Sequence, residues 1–463
     1  MRAIVLADFG STFTKVTVVQ ESTGRLLATA QSPTTITTDV MDGYETALAV
    51  SIDSIGQPVE IAEKLAASSA GGGLRLAAIG LVPDYTAAAA KQAALNAGAK
   101  IELLLSGRLS ANDVSSLERV KPEILLFSGG TDGGQRDQVL DNAAAIASAR
   151  FDCHIVVSCN REIASEVAAL LRVQHGSVEI VENVLPAIRT LNIEPARRAV
   201  HEAFIRHVIR GKGLSQTNEF GSTVIMPTPE AVLEATQLLA RGDGTRPGLG
   251  DVITVDIGGA TTDIHSAVAL RALAAGIRSA GLPSLPLTRT VEGDLGMRWS
   301  ALGVLDADSE WLRHQCSDMN LDGNVIQNAC QRRHDHPDFL PESEREAKLD
   351  RLLAMSCITQ ALHRHCGTFS TIYIPGQGTE FVQEGTDMTE VPLLVGTGGM
   401  LVRDPLGVDT LQAAVRRRKN RSLTPKSPTA VLDRNYILAA AGLLSTRDKK
   451  AAYTLLREQI QES

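Results

Sequence analysis

The sequence predicts an α/β protein of several regions, the middle one an inserted, doubly wound parallel sheet, and three observations carry that reading. Between residues 76 and 250, strand-like apolar runs alternate with helix-length segments, the pattern of a parallel sheet covered by helices. On either side of that region, a short apolar run delivers an aspartate into a turn of small residues, once at Asp8 and once at Asp256. Late in the chain a third apolar run, Leu393 to Leu401, is broken by Gly396, Thr397, Gly398 and Gly399. The expected organisation is a first region over residues 1–75, an inserted α/β domain over 76–250, and a last region over 251–463.

The first region opens with the short apolar run Ile4 to Ala7, then "DFGSTFTK", then Phe13 to Val19. The last of these is β-branched and mixes apolar with polar positions, as a half-exposed strand does. Gly10, Ser11 and Thr12 supply a turn of little bulk, so the segment reads as a β-hairpin with Asp8 on one strand and Lys15 on the other. Taken alone, two readings stay open. It is an ordinary hairpin, or it is a phosphate cradle in which turn amides form an anion-binding concavity, Lys15 adds positive charge and Asp8 holds a cation through water. It is neither a P-loop nor a dinucleotide fingerprint, because both need a helix after the glycines. The region continues through a loop-rich stretch to Gly71, Gly72 and Gly73.

In the middle region "LRLAAIGLV" reads as a strand and "TAAAAKQAALNAG" as a helix closed by Gly98. "KIELLLSG" precedes the helix "SANDVSSLERV", with Ser110 as N-cap and Asp113 three residues on. "EILLFSGG" and "HIVVSC" are further strands, each followed by a helix. The loop "SGGTDGG", Ser128 to Gly134, stands at a strand's carboxyl end, where such sheets bind ligands. It lacks the GxGxxG spacing and reads equally as a tight connection.

The turn-rich "RGDGTRPGLG" marks the start of the last region. There Val252 to Val255 delivers Asp256, Gly258, Gly259 and Ala260 form the turn, and Thr261, Thr262 and Asp263 enter the return strand. Two hairpins of this kind in separate halves of a chain suit a polyphosphate gripped from both sides. Their aspartates would share one Mg²⁺, which keeps several waters and needs few carboxylates. At Gly396 to Gly399 the backbone can approach a flat ring or a phosphate closely, since no side chains intervene. "HQCSDMNLDGNVIQNACQRRHDHPDF" reads as a mobile polar insertion at about 310–345. His314, Cys316, Cys330, His334, His336, His363, His365 and Cys366 lack the clean paired spacing of a zinc site.

Composition narrows the function. The chain has 463 residues, 44% hydrophobic and 21% charged, with a formal net charge of −8. That balance argues against a nucleic-acid surface, which is normally basic; the local run "VRRRKNR", Val415 to Arg421, reads as a solvated helix end. Aromatic residues make up only 3%, so an aliphatic, alanine-rich core is expected. No signal peptide or membrane span is read from the sequence, and six dispersed cysteines fit reduced thiols. The expectation is a cytoplasmic protein without membrane or nucleic-acid partners.

The ordered set of two hairpins and a late glycine loop resembles the ATPase superfamily of actin, sugar kinases and the seventy-kilodalton heat-shock chaperones. Asp8, Gly10, Ser11 and Lys15 match the first phosphate motif, and Asp256, Gly258, Gly259, Ala260 and Thr261 match the second. The resemblance implies a two-lobe actin-like, ribonuclease H-like fold binding ATP and Mg²⁺. It places Asp8 and Asp256 at Mg²⁺ and the attacking water, with Lys15 at the phosphates. Gly10, Ser11, Thr12, Gly258, Gly259, Thr261 and Thr262 would line the phosphates, and Gly396, Thr397, Gly398 and Gly399 would face adenosine. "VEGDLGMRW" is similar to the nucleotide-facing helix start of the chaperone branch, which makes Glu292 and Asp294 candidate nucleotide-side residues; a capped helix is the other reading. "NYILAAAGLL" is the small-residue helix expected where the lobes hinge, and core packing explains it equally.

More closely, the chain resembles the glutamate mutase accessory ATPases of MutL or GlmL type, unrelated to the mismatch-repair protein of the first name. "LADFGSTFTKVT", "SGGTDGG", "VDIGGATTDIHS", "RTVEGDLGMR", "TEVPLLVGTGGML" and "DRNYILAAAGLL" carry the likeness, spread over residues 6–444. It implies a chaperone-like factor that uses ATP to free an adenosylcobalamin-dependent mutase, glutamate mutase, of damaged cobalamin. The chain has no cobalamin-binding DxHxxG string of its own. Alternatives are an amide-ring hydrolase of hydantoinase or oxoprolinase type, which normally carries Asp where Lys15 stands, and a small-molecule kinase, for which no sugar motif stands out. An iron–sulfur activator of the dehydratase type would place a Cys beside an Ala-Gly-Thr-Gly loop, and that string does not occur.

Overall fold

The opening hairpin seeds a five-stranded sheet in the computed structural model, which describes residues 1–10, 13–34, 40–69, 75–211, 224–319, 321–322, 324–376 and 378–461. Strands β1 (Arg2–Phe9), β2 (Phe13–Gln20) and β3 (Leu26–Pro33) form an antiparallel meander, and β4 (Glu60–Ser68) joins β1 in parallel. Successive residues of a strand point to opposite faces, yet every residue from Ala3 to Phe9 is buried. Both faces of β1 are therefore covered.

The chain next builds an all-parallel sheet from β5 (Arg75–Gly80), β6 (Lys100–Ser106), β7 (Ile124–Gly129), β8 (His154–Cys159) and β9 (Ser177–Ile180), in the order β6-β5-β7-β8-β9. Leu76, Ala78, Ile124, Leu126 and Val156 face a core they share with β1 and β2, while Ala77, Ile79, Leu125, Phe127, Ile155 and Val157 face the opposite one. Burial on both faces is what the unbroken apolar runs in these strands require. Ala89, Ala90, Ala93 and Ala94 of the helix Ala88–Asn96 lie in the first of these cores. Ser110 caps Ala111–Val120 in a reciprocal capping box with Asp113, as the sequence predicts. After this sheet β10 (Val224–Pro227) returns to pair with β4, completing the order β10-β4-β1-β2-β3.

The second hairpin founds a sheet of the same plan. Strands β11 (Val252–Ile257) and β12 (Thr262–Ala267) are antiparallel; β13 (Ile277–Ala280) belongs elsewhere, and β14 (Leu287–Glu292) extends the meander from β12. Strands β15 (Thr368–Ile374) and β16 (Gly378–Glu384) form a small separate sheet with β13. Then β17 (Leu393–Thr397) pairs in parallel with β11, and β18 (Thr429–Leu432) with β17. The resulting order, β14-β12-β11-β17-β18, repeats the first sheet strand for strand. In each, a meander of three strands is extended by two parallel strands from its founding strand. This is the ribonuclease H-like order expected of an actin-like ATPase, present twice.

Contacts divide the chain into two units, Met1–Val232 with Gly281–Pro283 and Ala439–Ala452, and Leu233–Ala280 with Ser284–Leu438 and Tyr453–Ser463. The division falls inside the helices Thr228–Arg241, Leu438–Ser445 and Lys449–Gln461. In the first unit Gly442 sits so close to Ala231 that a β-carbon on it would lie 1.8 Å from the Ala231 carbonyl oxygen.

The stretch expected as a mobile polar insertion, about 310–345, is instead largely helical, with a loop over 336–343. It spans parts of Ala301–Asp318 and Asn324–Asp335 and runs into Glu344–His365. Cys316, Ile326, Cys330 and Arg333 are fully buried there. The polar letters mislead because several pair with one another inside. Arg333 Nε lies 2.6 Å from Asp350 and its terminal nitrogen 3.0 Å from Glu346, with the guanidinium 4.8 Å from the Phe339 ring centre. The histidines and cysteines weighed as zinc ligands are likewise scattered. His314 pairs with Asp318, His334 contacts the Trp299 carbonyl, and Cys366 lies against Met388. All six cysteines are buried free thiols. Among the described residues no three His, Cys, Asp or Glu side chains group as metal ligands, and no helix is long and apolar enough to cross a membrane.

Candidate functional site

The turn of the first hairpin is tight because Gly10 N–H reaches both the Asp8 carbonyl at 3.1 Å and the Phe13 carbonyl at 3.2 Å. A β-carbon on Gly10 would fall 2.6 Å from that Phe13 oxygen, so no larger residue fits the turn undisturbed. The Gly10 amide is thus engaged within the turn; Ser11 and Thr12, expected at the phosphates, lie outside the described residues. Asp8 and Lys15 stand directly opposite each other in the β1–β2 register, with Nζ 3.8 Å from Oδ2. Asp8 is only 7% exposed. Its other oxygen, Oδ1, accepts a hydrogen bond of 2.5 Å from Thr228 Oγ1, a residue the sequence reading did not single out.

Asp256 occupies the matching place in the second hairpin, one residue before the end of its strand as Asp8 is of β1. Gly258 N–H closes the turn onto the Thr261 carbonyl at 2.8 Å. The amides of Gly259 and Ala260 have no acceptor among the described residues, and both residues are exposed. Two successive exposed turn amides without such an acceptor suit an anion. The carbonyls of the turn are occupied: Met297 N–H donates to Gly258 at 3.0 Å, Arg298 N–H to Gly259 at 2.8 Å, and Ser300 Oγ to Ala260 at 2.7 Å. This bracing fixes the turn against the strand end, and Ser300 and Arg298 were not visible as site residues in the sequence.

Opposite Asp256, where the first hairpin has Lys15, stands Asp263, and it pairs with Arg289 of β14 at 2.8 Å. Thr261 is half-buried, whereas Thr262 is fully buried and donates to the Leu295 carbonyl at 2.7 Å. The expectation for Thr262 therefore changes: its hydroxyl braces the fold, and Thr261 is the threonine at the turn. Glu292 and Asp294 also differ from expectation, because β14 ends at Glu292 and no helix begins there. Both pair with Arg364, at 2.7 Å and 2.6 Å, and hydrogen bonds from Arg364 hold the Asp294 carboxyl below the usual range.

The glycine-rich loop ends β17, the parallel neighbour of β11, with Thr397 beside Asp256 in the register. Sheet pairing thus brings the second hairpin and the late loop together. Within the loop the glycines have different reasons. Gly396 is in the strand, and a β-carbon there would meet Leu411, Leu432 and Leu401 within 3.0 Å, so its smallness serves core packing. Gly398 has φ +103° and lies against β11, a β-carbon falling 2.2 Å from the Ile257 carbonyl. Gly399 alone of these faces open space, and Thr397 is buried. A close approach of backbone to a flat ring is thus available at Gly399.

The "SGGTDGG" loop is a braced connection. Ser128 Oγ donates to the Ile79 carbonyl at 2.6 Å, and Asp132 Oδ1 accepts from Asn183 at 3.0 Å and from Arg161 N–H at 3.0 Å.

Each hairpin by itself has parts that suit a phosphate and its counter-ion: a strand-end carboxylate with a lysine opposite it in the first, and a strand-end carboxylate beside two turn amides without an acceptor among the described residues in the second. The family profile described as MutL protein matches residues 4–460 of the chain. The chain belongs to the MutL family. Protein MutL of Clostridium tetanomorphum is 38% identical over 448 residues, covering 96% of each chain. Among solved structures, the chain is similar to the activator of the 2-hydroxyisocaproyl-CoA dehydratase from Clostridium difficile with bound ADPNP, at 8% identity and TM-score 0.32, covering 100% of this chain and 98% of that one. Xylulose kinase from Lactobacillus acidophilus follows at 10% identity and TM-score 0.33, covering 98% and 91%. At such low values, the fold of this MutL family member rests on its own strand order.

Proposed function

We propose that this MutL family protein is an ATPase that serves an adenosylcobalamin-dependent mutase, glutamate mutase, as a reactivating factor. The observation that supports it is the duplicated sheet, each copy placing an aspartate one residue before the end of its founding strand, at the edge of a glycine turn. On this reading Asp8 and Asp256 hold Mg²⁺ through water, and the bound ion supplies charge neutralisation on the phosphates. Lys15 and the turn amides of Gly259 and Ala260 stabilise the remaining negative charge as the terminal phosphoryl group passes to water. Gly399, which Gly398 holds in place against β11, would lie against adenosine. Lys15 opposite Asp8 disfavours the amide-ring hydrolase reading, whose members carry Asp there.

ATP free energy would go into a conformational change rather than into substrate chemistry, so slow turnover suffices. Phosphate release by the purified protein, alone and with cobalamin-inactivated glutamate mutase, tests this. The expected result is ATP-dependent recovery of mutase activity that Asp8→Ala abolishes. Turnover without recovery would overturn the client assignment, and absence of nucleotide binding would overturn the ATPase reading.

A further inference from the structure

Asp8 is held from two sides by residues of different kinds. Lys15 faces Oδ2 across the hairpin at 3.8 Å, a flexible point charge that is 30% exposed. Thr228 donates its hydroxyl to Oδ1 at 2.5 Å. A carboxylate on a strand end samples several χ1 wells and a broad χ2. A charge-assisted hydrogen bond from a β-branched residue, itself stiff at χ1, selects one of them.

Thr228 is in turn fixed more firmly than a surface residue needs to be. It is the first residue of Thr228–Arg241, directly after β10, and lies between Pro227 and Pro229. Pro227 packs on Gly98 so closely that a β-carbon on that glycine would lie 2.6 Å from the proline ring. Two residues further, Glu230 is buried and takes Arg197 on one carboxylate oxygen and His201 on the other. Both partners belong to Glu194–Gly211, which packs on β10 and on β7 and β8 of the parallel sheet. Its Ala199, Val200, Ala203 and Phe204 share one core with Leu126 and Val156. A continuous set of packed residues thus leads from the parallel sheet to the oxygen of Asp8.

We propose that Thr228 is a positioning residue that orients the Asp8 carboxylate for metal-water binding and ATP turnover, and that the Glu230 clamp sets Thr228. The inference rests on the ATPase reading above. The Thr228 hydroxyl is directed to Asp8 Oδ1, so on this reading it acts through that carboxylate. The inserted parallel sheet then has a mechanical route to the nucleotide: a shift of Glu194–Gly211 moves Glu230, Thr228 and Asp8 in turn.

The test compares wild type, Thr228→Val and Thr228→Ser. Valine keeps the shape and removes the donor; serine keeps the donor. Steady-state ATP turnover is read together with equilibrium ATP binding, with and without Mg²⁺, and with the thermal midpoint of the nucleotide-free protein. Thr228→Val is expected to lower kcat by about tenfold or more, the effect of losing one hydrogen bond to a charged group. Its ATP affinity without Mg²⁺ should match wild type, while the tightening produced by Mg²⁺ shrinks. Thr228→Ser should recover most of the turnover. Wild-type kcat in Thr228→Val would overturn the inference and leave the ATPase reading standing. Equal losses in both variants, tracking a fall in thermal midpoint, would show a merely structural role and overturn it as well. A wild-type protein that neither binds nor turns over ATP would overturn the ATPase reading and this inference together.

Discussion

Mild acid should destabilise the second unit through His365, and the size of the effect follows from where the ring sits. It is buried between Thr290 Oγ1 and Ser266 Oγ, each 2.8 Å from a ring nitrogen. Burial alone pushes the imidazole down from 6.5 to about 3. In the unfolded chain the ring titrates near its ordinary value. The neutral ring's contribution to stability is therefore intact above pH 6.5. It is lost progressively as the pH falls from there toward 3, because the unfolded state takes a proton that the folded state refuses. Between about pH 7 and pH 5, linkage gives a loss of about 2 kcal/mol from this one group. His365→Gln keeps a donor and an acceptor and cannot titrate. The variant is less stable at neutral pH, but its fall on acidification should be smaller than that of wild type by the same ~2 kcal/mol. Equilibrium urea unfolding at both pH values measures this. His265 is also held well below its usual value, by burial first and then by Arg289 and His365, and burial and Arg289 remain in the variant. Equal losses in wild type and variant would refute the argument.

Three other outcomes are expected. Asp350→Ala leaves the fully buried Arg333 without its 2.6 Å partner and should cost about 3–5 kcal/mol in urea unfolding; a loss within error would show that Glu346 alone suffices. Gly398→Ala forces a side chain into φ +103° and onto the Ile257 carbonyl, costing about 1–3 kcal/mol and weakening binding of a fluorescent ATP analogue; unchanged binding would remove the loop from the nucleotide site. The thiols of Cys153, Cys159, Cys330 and Cys357 are pushed up to about 12 by burial, so a thiol reagent at neutral pH should leave all four unmodified in the native protein and label them in denaturant, and native labelling of any would contradict the packing.

The parts of this molecule that were legible in sequence are those whose physics is local. Each hairpin declares itself by an apolar run, an aspartate and a small-residue turn, and Ser110 with Asp113 declares a helix start within four letters. The parallel sheet is legible because strands buried on both faces are uniformly apolar. Long-range pairing has no such signature. Nothing near Thr228 says that its hydroxyl meets Asp8, 220 residues earlier. Likewise Glu292 looks like the start of a helix until Arg364 is seen beside it, 72 residues on. The stretch around Arg333 shows the opposite failure: charged letters suggest solvent, and only tertiary structure shows that they neutralise one another inside. Gly396 and Gly398 read alike as flexible loop glycines, yet one is small for three leucines and the other for a carbonyl.

The two units have a consequence for synthesis. The first begins at Met1 but is completed only by Ala439–Ala452, where Gly442 seats against Ala231 and Ala451 against Gly24. A ribosome must therefore translate past residue 439 before the amino-terminal half can close its own core. Until then the nascent chain exposes the apolar surface around Ala231 and Gly24, and contacts joined over such sequence separations form slowly. Ribosome-bound chains halted before residue 439 should be cut readily by protease within the first 232 residues, and chains extended past 452 should resist.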